Sequence, residues 1–166
     1  MMERLARITH LVADLLVRVA AFGIVLMTAI VGWQVFGRYV LNSTPSWSEE
    51  AALTLMIWYV SLAAAAGVRQ GFHIRIVALE EAVSPGLRRM MQFTSNLVVA
   101  GCGAAMLIWG GELVMLTWSH VIPSLGISRG LAYLGLPLSG ALMVLFAGER
   151  MLEVLFPKSL TEEAGA

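Results

Sequence analysis

Charge is scarce in this sequence. Only 13% of its 166 residues are Asp, Glu, Lys or Arg, against 58% hydrophobic. A soluble domain carries about 25% charged residues, so this chain cannot cover a water-facing surface. An ordinary soluble globule and a disordered tail are both excluded. The 11 basic residues are matched by 11 acidic ones, which leaves no positive excess for nucleic-acid phosphates. Cysteine is nearly absent as well. Cys102 stands alone, excluding an intrachain disulfide framework and a multi-cysteine metal site. Within its apolar run it reads as a small packing residue.

Catalytic motifs are missing too. No HExxH, GxSxG, P-loop or CxxC pattern occurs. His10, His73 and His120 fall in terminal or loop positions, whereas a membrane haem needs imidazoles facing one another from span interiors. No pair of carboxylates is placed at depth on facing helices, so the chain is expected not to be an enzyme.

What the sequence does contain is long apolar runs bounded by charge. They extend from Val19 to Gly37, Ala51 to Val68, Met90 to about Leu116, and Gly130 to Gly148. Crossing a hydrocarbon core of about 30 Å takes roughly 20 such residues, and each run is long enough. The expected fold is an all-α membrane protein with four transmembrane helices forming a single domain over residues 1–166. The first run is longer than a signal-peptide core and has no A-x-A-like cleavage site after it, so it is read as retained. Phe72 to Val83 mixes Ile74, Ile76, Val77 and Leu79 with Arg75, Glu80 and Glu81. That mixture suits a short interfacial helix between the second and third spans, or else an irregular loop.

Orientation follows from basic residues, which are held on the cytoplasmic side. Arg4, Arg7 and Arg18 precede the first span, Arg69, Arg75, Arg88 and Arg89 lie between the second and third, and Arg150 and Lys158 follow the fourth. The termini are therefore expected in the cytoplasm. Ser46 and Glu49 are spaced as a capping box opening the second helix, with Glu49 and Glu50 where the helix dipole favours negative charge. Ser84-Pro85 reads as an N-cap and N1 proline for the third.

An ionisable side chain at bilayer depth is a functional hypothesis by default, and almost none is present. Glu112 falls near the outer end of the third span, where a structural role outweighs a proton or ion site. Ser95 and Asn96 are candidates for interhelical hydrogen bonds. Glu149 and Arg150 read as an interfacial ion pair. Pro137 interrupts the fourth span and should bend it. Trp33, Trp47 and Trp118 suit the aromatic belt, while Trp58 and Trp109 lie deeper and suit packing. The small-residue stretches Ala63–Gly67 and Gly101–Ala105 allow close helix approach, within this bundle or against another protein.

The stretch FGRYVLN…PSWSEEAALTLMIWYVSLAAAAGVRQGFHIRI resembles the small, DctQ-type membrane subunit of tripartite ATP-independent periplasmic (TRAP) transporters. The ordered pattern is Trp47, Glu49-Glu50, Trp58, Leu62, Ala64-Ala65, Arg69, Gly71, His73 and Ile74. A second match, PSLGISRGLAYLGLPLSGALMVL, carries Pro123, Gly126, Tyr133, Leu134, Pro137 and Gly140. Val77 and Ala78 stand where members of the family often carry an acidic residue.

The resemblance implies a non-catalytic scaffold subunit of a sodium-coupled importer of organic acids in the bacterial inner membrane. Its implied partners are a large multi-span membrane subunit and a periplasmic substrate-binding protein, with no cofactor in this chain and sodium on the large subunit. Arg38, Trp47, Glu49, Glu50, Trp58, Arg69, Gly71, His73 and Pro137 are the implied interface or structural residues. Each also has a simpler reading. Glu49 and Glu50 serve as dipole partners, or one of them pairs with Arg38 or a partner's cation. Trp47 is a belt anchor or an interface residue, Arg69 a snorkelling dipole partner, and His73 a turn cap or a partner contact. Two other functions remain open on sequence alone: an independent, homo-oligomeric proton-coupled transporter, and a scaffold or anchor subunit of another membrane complex.

Overall fold

A computed structural model describes residues 2–71 and 84–155. Four long helices dominate, as they must where no water is present to satisfy a bare backbone. Helix α1 spans Met2–Tyr39, α2 Ser48–Gln70 and α3 Pro85–Thr117. A two-stranded hairpin follows, β1 (Val121–Ile122) antiparallel to β2 (Ile127–Ser128), and then a short helix α4 (Arg129–Tyr133) and the long α5 (Gly135–Leu155). Four segments are long and apolar enough to cross a membrane, three within α1, α2 and α3 and the fourth, Arg129–Val154, running across α4 and α5. The expected interfacial helix at Phe72–Val83 lies outside the described residues, as does His73.

Each expected run falls within a helix or, for the fourth, across α4 and α5, but helices outlast apolar runs. Helix α1 starts far before Val19 because Asp14 and Arg18 limit hydrophobicity without breaking helical geometry. The fourth span is divided. The helix is interrupted at Leu134, three residues before Pro137. Proline has no N–H to return to the carbonyl of Tyr133, and its ring crowds that carbonyl. The break thus falls one turn before the proline rather than at it.

Two local expectations need correction or refinement. The Ser46–Glu49 capping box does not form: Trp47 occupies the N-cap in helical geometry, with no side-chain cap hydrogen bond. A turn from Pro45 brings the chain into the helix already right-handed, and the Ser48 hydroxyl donates to the Pro45 carbonyl at 2.8 Å. Ser84 does sit at the α3 N-cap with Pro85 at the helix start, but its hydroxyl makes no capping hydrogen bond.

The helices are arranged as a row rather than a square. Helix α1 packs on α2, α2 on α5, and α5 on α3. The α3–α5 contact depends on glycine. A Cβ on Gly140 would lie 2.6 Å from both the Gly103 carbonyl oxygen and the Leu107 nitrogen, which only a backbone shift could relieve. The α1, α2 and α5 helices converge on a small core of Ala13, Ala65, Val68, Met143, Phe146 and Ala147. Alanine-lined faces let backbones approach closely enough for dispersion to hold helices together in lipid.

Candidate functional site

The polar residues that join helices collect at the end of the bundle where α2 stops. Arg69, in the last turn of α2, is 4% exposed. Its Nε donates to Thr9 Oγ1 of α1 at 3.1 Å and its Nη2 to Glu149 Oε1 of α5 at 3.5 Å. Glu153, one turn further along α5, reaches Nη1 at 3.6 Å. Arg150 returns the connection by donating its Nη2 to the Arg69 carbonyl at 2.9 Å. Beside this cluster, Gln70 Nε2 donates to Asp14 Oδ1 at 3.2 Å. Three helices are thereby tied through one guanidinium.

Gly71 completes the arrangement. It ends α2 with φ of 77°, in the left-handed region, and its N–H donates to the Gly67 carbonyl. A Cβ there would meet the Arg150 Nη2 at 2.9 Å. The position requires glycine twice, once for its backbone angle and once for space.

This geometry overturns two expectations. Arg69 is not a lipid-facing snorkel, because its guanidinium points into the bundle and is consumed by Thr9, Glu149 and Glu153. Among the described residues Glu149 pairs with Arg69 rather than with its neighbour Arg150, which donates to the Arg69 carbonyl; successive residues diverge around a helix. Sequence reasoning overlooked Thr9 and Glu153. One signal was available: Glu149 and Glu153 are four residues apart and share a helix face. Their common partner is far away in the chain, so the spacing alone named no target.

The opposite end is held by hydrogen bonds to backbone. Trp58 Nε1 donates to the Leu131 carbonyl at 3.3 Å, linking α2 to α4 beside the interruption that precedes Pro137. Ser128 caps α4 by accepting from the Gly130 N–H, while its hydroxyl donates to the Trp118 carbonyl at 2.6 Å. Gly126, with φ of 68°, turns the β1–β2 hairpin. Arg38, Trp47 and Glu49 are exposed near the α1–α2 turn and Glu50 is half-buried. Among the described residues, Arg38, Glu49 and Glu50 form no ion pair.

Other candidates lie elsewhere than expected. Ser95 is exposed on α3, and neither it nor Asn96 makes an interhelical hydrogen bond among the described residues. Trp109 is 68% exposed and does not pack inside the bundle. Glu112 is exposed on the outer surface of α3. The small-residue stretches divide: Ala65, Ala66 and Gly103 face inward, whereas Ala63 is exposed and Gly67 and Gly101 have open space at the Cβ position. Among the described residues, no three His, Cys, Asp or Glu side chains come together as metal ligands.

This four-span architecture matches a known family over most of its length. Residues 27–156 fit the model of the DctQ component of tripartite ATP-independent periplasmic transporters. The chain belongs to the DctQ family of TRAP transporter small permease subunits. It is 25% identical over 130 residues to the sialic acid TRAP transporter small permease protein SiaQ of Vibrio cholerae, covering 78% of this chain and 73% of that one. It is 30% identical over 125 residues to the C4-dicarboxylate TRAP transporter small permease protein DctQ of Rhodobacter capsulatus, covering 70% of this chain and 51% of that one. The family consists of transporter subunits, not enzymes, and this DctQ-family chain is a multi-pass membrane protein.

Proposed function

We propose that this small permease subunit is a static scaffold in a sodium-coupled importer of an organic acid. It would work with a large membrane subunit that holds sodium and substrate and with a periplasmic substrate-binding protein. One observation supports this reading above the others. The buried ionisable side chains among the described residues, Arg69 and Glu149, lie together at one end and neutralise each other. Along the remaining length, the buried side chains are apolar or hydroxyl-bearing. Such an interior offers no ladder of polar groups for an ion or an acid to cross, and a transport pathway through lipid depth needs one.

The proposed placement is the inner membrane, with both termini and the Arg69 cluster toward the cytoplasm. Arg38, Trp47, Glu49 and Glu50 then crown the periplasmic end, where an exposed tryptophan and charges that form no ion pair among the described residues suit contact with the large subunit. Trp58, Arg69, Gly71 and the helix interruption before Pro137 hold the bundle's own shape. The substrates in the names of the two relatives, sialic acid and C4-dicarboxylate, set the class of acid expected.

Uptake of labelled sialic acid and of a labelled C4-dicarboxylate into proteoliposomes tests the proposal. Transport is expected only when this chain, the large subunit, the binding protein and an inward sodium gradient are all present. Uptake by this chain alone would overturn it. Glu50→Gln and Trp47→Ala are expected to reduce co-purification of the large subunit several-fold, with the binding protein's affinity for substrate unchanged. A changed substrate preference with assembly intact would contradict the scaffold role.

A further inference from the structure

A groove of about 400 Å³ runs along the outside of the α1–α2 pair. Val17, Ala21 and Ile24 of α1 form one wall, and Tyr59, Ala63 and Gly67 of α2 the other. Its inner end lies where Tyr59 abuts Gly23, whose added Cβ would stand 2.9 Å from the tyrosine Cβ. Its mouth is at Gln70, which is hydrogen-bonded to Asp14.

We infer that this groove seats one acyl chain of a phospholipid whose headgroup carries both a phosphate and an ammonium. Length is the first argument. From Gln70 to Tyr59 the α2 wall rises by eleven residue steps, about 16 Å at the helical rise. A single leaflet contributes about half of the roughly 30 Å hydrocarbon core. The length of the groove therefore matches one acyl chain running from its ester linkage to the bilayer midplane. A docked helix from another protein would not be confined to one leaflet.

Lining chemistry is the second argument. Between its ends the groove presents methyl and methylene surface and the open Cα of Gly67, with no charged side chain. Charge borders only the outer part of the groove, in both signs. Asp14 stands at the mouth. Arg18 is one helical turn further in, on a helix whose side chains tilt back toward its N-terminus and so toward the mouth. Asp14 lies one turn before Val17 on α1, and Arg18 one turn before Ala21, and both are exposed. Arg18 is placed to take a phosphate, while the Asp14 carboxylate is placed to take an ammonium. An opposite-charge pair at headgroup level complements a zwitterionic headgroup, whereas a patch of basic residues would favour an anionic one. This inference does not depend on the transport role.

The test uses phosphatidylethanolamine carrying a diazirine on its acyl chain, in vesicles containing the full chain together with any membrane partner that co-purifies. After irradiation, adducts are mapped by mass spectrometry. They are expected to concentrate on Ile24, Tyr59 and Ala63, several-fold above Leu97 and Val98 on the exposed face of α3. Gly67→Leu fills the groove without a clash, since a Cβ at Gly67 meets nothing within 4 Å. It should lower groove adducts at least fivefold and leave those at Leu97 and Val98 unchanged. Ala63→Leu, also exposed, should do the same and guards against an idiosyncratic loss of one variant. Even labelling of all lipid-facing helices, signifying annular lipid only, would overturn the inference. So would labelling insensitive to both leucines, or protection of the groove by a partner's helix.

Discussion

Helices α1 and α5 are both apolar enough to span a membrane, yet they are buried very differently. Only 11% of the α1 span is buried inside the bundle, against 44% for the span that includes α5. Helix α1 packs mainly on α2, whereas α5 lies between α2 and α3. Hydrophobicity does not explain the difference, because the apolar stretch of the α1 span is the more hydrophobic of the two. What distinguishes α5 is small and polar residues: Gly140 against α3, Ser139 fully buried, and Glu149 on Arg69. In lipid a leucine gains little by turning inward, since acyl chains are as apolar as a neighbouring helix. Shape and hydrogen bonding decide which face is interior.

Substitution of glycine would break this contrast most sharply. Gly140→Leu places side-chain atoms into α3 backbone, whereas a Cβ added at Gly32 on α1 meets nothing within 4 Å, which leaves room for Gly32→Leu. The first should eliminate monodisperse protein in detergent size-exclusion chromatography. The second should leave both yield and melting temperature essentially unchanged. Equal tolerance at the two sites would mean that α3 and α5 do not pack as described.

The buried ion pair sharpens the comparison next. Arg69→Met leaves Glu149 buried without its cation, a change that costs about 3–5 kcal/mol in comparable settings. Thermal unfolding in micelles should show a large drop. Arg69→Met with Glu149→Leu should recover most of it, because an apolar pair of similar volume avoids the desolvation penalty. Failure of the double variant to recover would mean that the cluster does more than close one end of the bundle.

The smallest effect is expected at the other end. Trp58→Phe removes one hydrogen bond, to the Leu131 carbonyl, while preserving an aromatic ring. Interhelical hydrogen bonds in membranes are worth about 0.6 kcal/mol on average, so a shift of a few degrees in melting temperature is expected. A loss as large as that of Arg69→Met would show that Trp58 governs the placement of α4 and the helix interruption.

Much of the architecture was legible in the residues. Charges such as Arg18, Arg38, Glu50 and Arg69 bracket the apolar runs, and the Trp47–Ile74 pattern resembles the family that the chain belongs to. Pro137 was legible as a disturbance of the fourth span. Arg69 was misplaced because a basic residue at a helix terminus looks alike whether it snorkels to a headgroup or turns inward. The capping box failed for a related reason: Ser46 and Glu49 have the right spacing, but the turn from Pro45 delivers Trp47 in helical geometry.

Sequence by itself determined that the chain has four long spans, because helix length and hydrophobicity suffice for crossing and lipid leaves an unpaired backbone no alternative. Tertiary structure alone decided the row of helices, the Gly103–Gly140 seam and the bond between Arg69 and Glu149, 80 positions apart. The physical reason is the solvent. Water marks the inward face of a soluble helix by rejecting its apolar side, but lipid accepts that side as readily as a neighbouring helix does, so only close approach and paired charge show where the interior lies.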